Sequence, residues 1–279
     1  MRKLIINADD LGISPEVDQM IEKCIKLGVI TSSTLISNGP SFEEGVRIAK
    51  QYPNISVGVH LNIIEFTPLT NLEVFRNHGV VDKEGHFIEG AIYNITIDNE
   101  LCEAIFEEWD AQITKVEQVG IVPTHCDSHQ HTHAIFALQD VLDRVLKKHN
   151  ISKVRRKAIP SIRLMLREKN RPKIQFNRNN AGYPKKRNVM YRRLHLFTVI
   201  RDCKRWNLYM EKKYRMTNSF FAFRNFYFDR EILRLGGTSA VIELMCHPGH
   251  PAYQKETDSL ICDFSWLPEN YKLISYKEL

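Results

Sequence analysis

Four short apolar runs, each leading straight into titratable residues, constrain the fold of this 279-residue chain more than any other feature. Leu4-Ile5-Ile6 leads to Asp9-Asp10-Leu11-Gly12. Ile55, Val57 and Val59 alternate with Ser56, Gly58 and His60, and the run ends in His60-Leu61-Asn62. Thr124-His125-Cys126-Asp127-Ser128-His129-Gln130-His131-Thr132-His133 follows Pro123. Ala240 to Met245 leads to Cys246-His247-Pro248-Gly249. Short runs of this kind read as strands, and Thr31 to Ser37 reads as another. Helical patterns lie between them. Ser14 and Pro15 start one that Gly28 stops. A second covers Phe42 to Gln51. Glu100 to Val119 repeats Leu101, Ile105, Trp109, Ile113 and Val116 at helical spacing, and a further pattern runs from Ile135 to Leu146. Strands alternating with helices imply an α/β fold with a parallel sheet, most simply a TIM-like (β/α) barrel. The titratable groups then fall together at its carboxyl-terminal mouth, where such barrels build their sites.

Residues 66–98 break this rhythm with Pro68, Asn77-His78-Gly79, Lys83-Glu84-Gly85 and Glu89-Gly90. They read as an inserted hairpin or loop region that covers the site or makes a subunit contact. Residues 157–193 form a basic, poorly patterned surface segment, and between Lys153 and Arg193 the only acid is Glu168. The ordinary explanation is a solvated face. The sharper one is that Arg155, Arg156 and Lys157 bind an anionic substituent of a substrate. Ile151 to Arg155 and Tyr271 to Ser275 read as short strands, and Leu194 to Tyr209 and Phe228 to Leu235 as helices. The aromatic run from Phe220 to Phe228 reads as core or as a wall beside the site. A single domain spans residues 1–279. Six dispersed cysteines with no Cys-x-x-Cys pair read as free thiols. The amino-terminal segment lacks the apolar core of a signal peptide, and no stretch is long and apolar enough for a membrane span, so the chain reads as cytoplasmic.

The chemistry follows from the residue types. Two adjacent aspartates repel, and at the mouth of a site such a pair holds a cation or divides into ligand and base. Residues two apart on a strand share a face, so His129, His131 and His133 would aim their imidazoles at one point. Asp10, His60 and a histidine of the 125–133 cluster come from three separate segments. One carboxylate and two imidazoles make a three-ligand metal site with positions left for water and substrate. Glu243, inside an apolar strand, needs a buried partner.

Asn7-Ala8-Asp9-Asp10-Leu11-Gly12, Gly58-Val59-His60-Leu61-Asn62, the 124–133 stretch and Glu243-Leu244-Met245-Cys246-His247-Pro248-Gly249 together resemble the motifs of the YdjC-like carbohydrate deacetylases. The likeness covers most of the chain and is weakest at 66–98 and 157–193. It implies a distorted (β/α) barrel, a homodimer and one divalent metal ion. Mg²⁺ comes first by resemblance, while the donor set also suits Zn²⁺, Mn²⁺ or Co²⁺. By motif position it implies Asp10, His60 and His129 as metal ligands, Asp9 as general base and His247 as general acid. Asp127 would orient a neighbouring group or the substrate. His125, His131, His133, Asn62 and Arg155 would stand behind the ligands or against the substrate. The implied reaction is hydrolytic removal of N-acetyl groups from amino sugars or short oligosaccharides, by metal-activated water.

Two rivals are compatible with parts of the sequence. A metal-dependent phosphoesterase on a related barrel would need a second metal and an anion clamp, which the basic segment offers. Nucleic-acid binding through residues 153–193 would be strongly salt-dependent. That stretch carries no recognition motif, so this reading ranks below either enzyme, and a membrane partner is not expected.

Overall fold

Leu4, Ile6 and Ala8 pack into the main apolar core, whereas Ile5 joins a separate small cluster with Ile274 and Tyr276. The first strand is thus buried on both faces, and its alternation sets the plan of the molecule. The odd-numbered face, Ile5, Asn7 and Asp9, looks into the hollow of a curled sheet, and the even-numbered face looks out to the helices. The computed structural model describes residues 2–159, 189–223, 240–262, 267 and 271–279.

The strands are β1 (Arg2–Leu11), β2 (Ser32–Leu35), β3 (Ser56–Leu61), β4 (Cys126–Ser128), β5 (Ser219–Ala222), β6 (Val241–Cys246) and β7 (Tyr271–Leu273). The sheet runs β4-β3-β2-β1-β6-β5, every pair is parallel, and β7 also pairs with β1. β7 takes Arg2 to Leu4, while β2 joins from Asn7 onward. The sheet curls into a half-barrel, a distorted form of the (β/α) barrel. The described α-helices are α1 (Pro15–Lys26), α2 (Phe42–Gln51), α3 (Leu72–Asn77), α4 (Asn99–Gln118), α5 (Gln139–Lys148), α6 (Val189–Glu211) and α7 (Gln254–Cys262). Ser14 caps α1 by accepting the Val17 N–H, with Pro15 in the first turn. On α4 the expected stripe of Leu101, Ile105, Trp109, Ile113 and Val116 is fully buried.

The segment after β7 closes the hollow from below. The Tyr276 and Lys277 backbone N–H groups donate to Ser32 Oγ and Ser56 Oγ, at the first residues of β2 and β3. The Tyr276 ring stacks 3.7 Å from His125, at an interplanar angle of 7°. Gly58 makes room for that histidine, since a Cβ there would lie 2.6 Å from its ring.

Several elements differ from the sequence reading. Ile151 to Arg155 is no strand; it gives isolated bridges from Lys153 to Arg215 and from Val154 to Cys126. The start of the aromatic run forms β5 beside β6, with Phe220 buried as the core reading expects. Residues 66–98 hold α3, one antiparallel bridge between Val81 and Phe87, and a 3₁₀ turn at Ala91–Tyr93. The expected helix at Phe228–Leu235 and residues 160–188 of the basic segment lie outside the described residues. Cys24, Cys102, Cys126, Cys203, Cys246 and Cys262 are free. Among the described residues, no helix is long and apolar enough to cross a membrane.

Candidate active site

The site begins where β1 ends. Asp10 has φ 69° and Gly12 φ 89°, so the chain turns sharply at the sheet rim. Asp18 of α1 fixes this turn, accepting the Gly12 N–H at 2.6 Å and the Ser41 hydroxyl at 2.5 Å. The turn places Asp10 Oδ1 3.3 Å from His60 Nε2 and 2.9 Å from His129 Nδ1. One donor atom from each of these residues lies within 4.8 Å of the others.

Behind both imidazoles stands a carboxylate. His60 and Asp127 are register partners across β3 and β4, and His60 Nδ1 lies 2.6 Å from Asp127 Oδ1. His129 Nε2 lies 3.6 Å from Glu65 Oε1. A carboxylate on the far ring nitrogen fixes the ring's orientation and makes the near nitrogen a better donor to a cation. Burial would lower both histidine pKa values. The charge of Asp127 and the bonds to both aspartates instead lift His60 to about 9, and Asp10 lifts His129 to about 10. Burial would raise Asp10, yet the two imidazoles hold it well below the usual carboxylate range. The pocket is thus built to hold positive charge, and its donor set of one carboxylate and two backed imidazoles fits a divalent ion.

Asp9 is held apart from this group. Arg155 is fully buried and donates Nη1 to Asp9 Oδ2 and Nη2 to Asp9 Oδ1, each at 2.6 Å. Nη1 also lies 2.6 Å from Asp127 Oδ2, and Nε donates to Glu243 Oε1 at 2.8 Å. Asn7 Nδ2 donates to Asp9 Oδ1 at 2.9 Å. Burial would raise Asp9, but the guanidinium outweighs it and keeps the carboxylate ionised. With Oδ1 accepting twice and Oδ2 once, Oδ2 keeps a lone pair for a further proton. Burial pushes Glu243 up to about 7, and the Tyr276 hydroxyl donates to its Oε2 at 2.5 Å. This answers the demand for a buried partner to Glu243.

His247 follows β6. Its backbone N–H donates to Glu256 Oε1 at 2.5 Å, its Nδ1 lies 3.8 Å from the same oxygen, and its ring stacks on Tyr253 at 4.7 Å. Burial would lower its pKa, but Glu256, Asp10 and Asp9 raise it.

The remaining histidines do not share one strand face. β4 ends at Ser128, and residues 129–134 form 3₁₀ turns with left-handed backbone at Gln130 (φ 49°) and His131 (φ 63°). This replaces the expected strand alternation and scatters the three rings. Two such non-glycine residues in succession cost about 1–3 kcal/mol each and persist only where their surroundings hold them. His125 is closed in, with Nε2 3.1 Å from Asn7 Oδ1 and Nδ1 2.9 Å from Thr124 Oγ1. His133 is buried against Trp206, with Nδ1 2.6 Å from Ser128 Oγ; its Nε2 has no partner among the described residues. His131 is partly open, and burial lowers its pKa to about 3.

Asn62 and the basic residues are turned to other tasks. The Asn62 side chain accepts the Ile64 and Glu65 N–H groups and donates to Asn38 Oδ1 and the Glu65 carbonyl. It therefore shapes the loop that carries Glu65. Arg155 faces three carboxylates and no solvent. Arg156 bonds the Thr217 carbonyl and pairs with Glu211, and Lys157 bonds the Ala134 carbonyl. Arg155 and Arg156 are thus paired with protein carboxylates, and Lys157 donates to a neutral carbonyl. The sequence reading also missed Glu65, Thr34, Glu256 and Tyr276. Thr34 bonds both His60 Nδ1 and Asp127 Oδ2. It missed Glu108 and Gln112 of α4 too. Gln112 pairs with the Asn62 backbone, and Glu108 holds the Leu69 and Thr70 N–H groups. Two polar residues four apart, set in an apolar helical stripe, were a signal available in the sequence.

Comparison with known proteins places this geometry in context. The family model described as YdjC-like protein matches residues 3–272. A carbohydrate deacetylase of Clostridium beijerinckii is 37% identical over 150 residues, covering 53% of this chain and 58% of that protein. A carbohydrate deacetylase of Halalkalibacterium halodurans is 33% identical over 150 residues, covering 53% and 62%. These matches thus span less than two thirds of the length of either curated relative. A crystal structure of an Enterococcus faecalis V583 protein, proposed to act in cellobiose-phosphate cleavage, superposes with a TM-score of 0.66. It shares 21% identity and covers 99% of this chain and 98% of the other, a likeness of fold. The family match spans nearly the whole chain and takes in every strand-end motif described above: this chain belongs to the YdjC-like family.

Proposed function

We propose that the chain is a metal-dependent hydrolase that removes N-acetyl groups from amino sugars or short oligosaccharides of the chitooligosaccharide type. The observation that carries this reading is the division of two adjacent aspartates. Asp10 joins His60 and His129 in a cation-seeking group, while Asp9 is turned to Arg155 and kept ionised. Family membership and the names of the curated relatives support the same reaction.

Asp10, His60 and His129 would hold the ion, Mg²⁺ first, with Zn²⁺, Mn²⁺ or Co²⁺ suited to the donors. When bound, a divalent ion supplies Lewis acidity that polarises an acetamide carbonyl and acidifies water. Asp9 Oδ2 takes a proton from the attacking water. Arg155 fixes that carboxylate in place. His247 carries a proton, favoured by Glu256, and gives it to the departing amine nitrogen as the C–N bond breaks. The products are acetate and the free amino sugar. A two-ion phosphoesterase is less well supported. The second cluster of acidic and histidine donors, Asp9, His60 and Asp127, already has the Arg155 guanidinium 2.6 Å from both aspartates. The family resemblance further suggests a homodimer, which size-exclusion chromatography with light scattering would check, and cell fractionation would check the cytoplasmic location read from the sequence.

The test is acetate release from diacetylchitobiose by metal-stripped protein, before and after adding each ion. Asp9→Asn should lose turnover by at least about a hundredfold and still bind metal. His60→Ala should lose both. Full activity in Asp9→Asn would overturn the assignment of the base.

A further inference from the structure

Of the three histidines of the 125–133 stretch left outside the ligand set, His131 alone has both ring nitrogens without a hydrogen-bond partner among the described residues. Its ring stands T-shaped to Phe220 at 5.6 Å and to His133 at 6.3 Å. The same Phe220 ring lies 5.0 Å from the Arg155 guanidinium, which holds Asp9. An imidazole is thus set beside the reacting groups with its polar atoms uncommitted.

The turn that puts it there is fastened from outside the barrel. Tyr93, in the inserted region, donates its hydroxyl to the Gln130 carbonyl at 2.5 Å. The Gln130 side chain donates to Glu89 Oε1, in the same region, at 3.0 Å. Both bonds hold Gln130, the first of the two left-handed residues, and His131 is the second. The insertion therefore clamps the one turn that carries the uncommitted imidazole.

We propose that His131 binds the substrate's acetamido sugar by hydrogen bonding through its ring nitrogens, and that Tyr93 is a positioning residue that holds the Gln130–His131 turn for it. This rests on the deacetylase reading for the identity of the sugar. A neutral sugar offers hydroxyl and acetamide groups that both donate and accept, and imidazole nitrogens can match either. Among the described residues, Arg155 and Arg156 are paired with protein carboxylates instead.

The experiment has two arms. Calorimetric titration of metal-stripped wild type and variants with diacetylchitobiose measures binding. Steady-state acetate release by the metal-loaded proteins measures turnover. His131→Phe keeps the ring packing against Phe220 and removes the nitrogens. It should weaken binding about tenfold, the effect of one lost hydrogen bond to a buried partner, and raise KM with kcat little changed. Tyr93→Phe should give a smaller rise in KM, and His131→Asn should recover part of the loss. Metal content should equal wild type in all three. Wild-type affinity in His131→Phe, or no diacetylchitobiose binding by wild type, overturns the inference. Sugar binding that depends on His131 without acetate release overturns the deacetylase reading and leaves the sugar site standing. Acetate release with an unchanged KM in His131→Phe does the reverse.

Discussion

Arg155 and Asp9 meet through two parallel hydrogen bonds, Nη1 to Oδ2 and Nη2 to Oδ1, each 2.6 Å long. The same guanidinium contacts Asp127 and Glu243, so one buried cation serves three buried carboxylates. Removing it leaves uncompensated charge in the hollow of the sheet. Arg155→Met should therefore lose roughly 3–5 kcal/mol of stability, measured by urea unfolding. Arg155→Lys should regain much of this while activity stays low, because an ammonium cannot reproduce the planar fork. A fully stable Arg155→Met would show that the carboxylates accept protons there without penalty.

Tyr276 extends this network downward. Its hydroxyl donates to Glu243 Oε2, while its ring stacks on His125. Tyr276→Phe keeps the stack and leaves that oxygen without a donor among the described residues. The expected loss is about 1–3 kcal/mol, the cost of one unsatisfied buried acceptor. No change in the urea midpoint would mean that water replaces the hydroxyl.

The parts of this architecture legible in sequence were those with a local cause. Phe42 to Gln51 forms α2 with the expected ends, and the stripe on α4 is buried as its spacing predicts. Asp10, His60 and His129 were legible as a group because each ends or follows a strand. Arg155 was legible only as a residue behind the ligands or against the substrate; its three carboxylate partners were not, because they are distant in sequence and a cation inside a basic run looks like solvated surface. The alternation of His129, His131 and His133 misled for a related reason. A period of two has meaning only on a strand, and the left-handed pair at Gln130 and His131 ends that geometry. Glu65 was hidden beside an irregular insertion, where no periodicity points to a partner.

Glu65 lies 3.6 Å behind His129, a looser counterpart of Asp127 at 2.6 Å behind His60. If its role is to orient the ring, the charge matters more than the shape. Glu65→Gln should weaken the affinity for Zn²⁺ or Co²⁺ about tenfold, read by competition with a chromophoric chelator, with little effect on folding. An unchanged affinity would mean that Asp10 alone orients His129.

Asp18 gives a pH signature separate from catalysis. Burial raises its pKa from 3.8 to about 6, despite the bonds from Gly12 and Ser41 that favour the charged form. The folded chain then binds a proton more tightly than the unfolded chain. Between about pH 4 and 6 this carboxylate makes stability fall as pH rises, by at most about 3 kcal/mol, and the effect is flat above that range. Asp18→Asn keeps an acceptor for the Gly12 N–H and cannot titrate. The stability of the variant relative to wild type, from urea unfolding at pH 4.5, 5.5 and 7, should therefore climb with pH and then level. A difference that shrinks with pH would show that Gly12 and Ser41 outweigh burial and hold the group ionised.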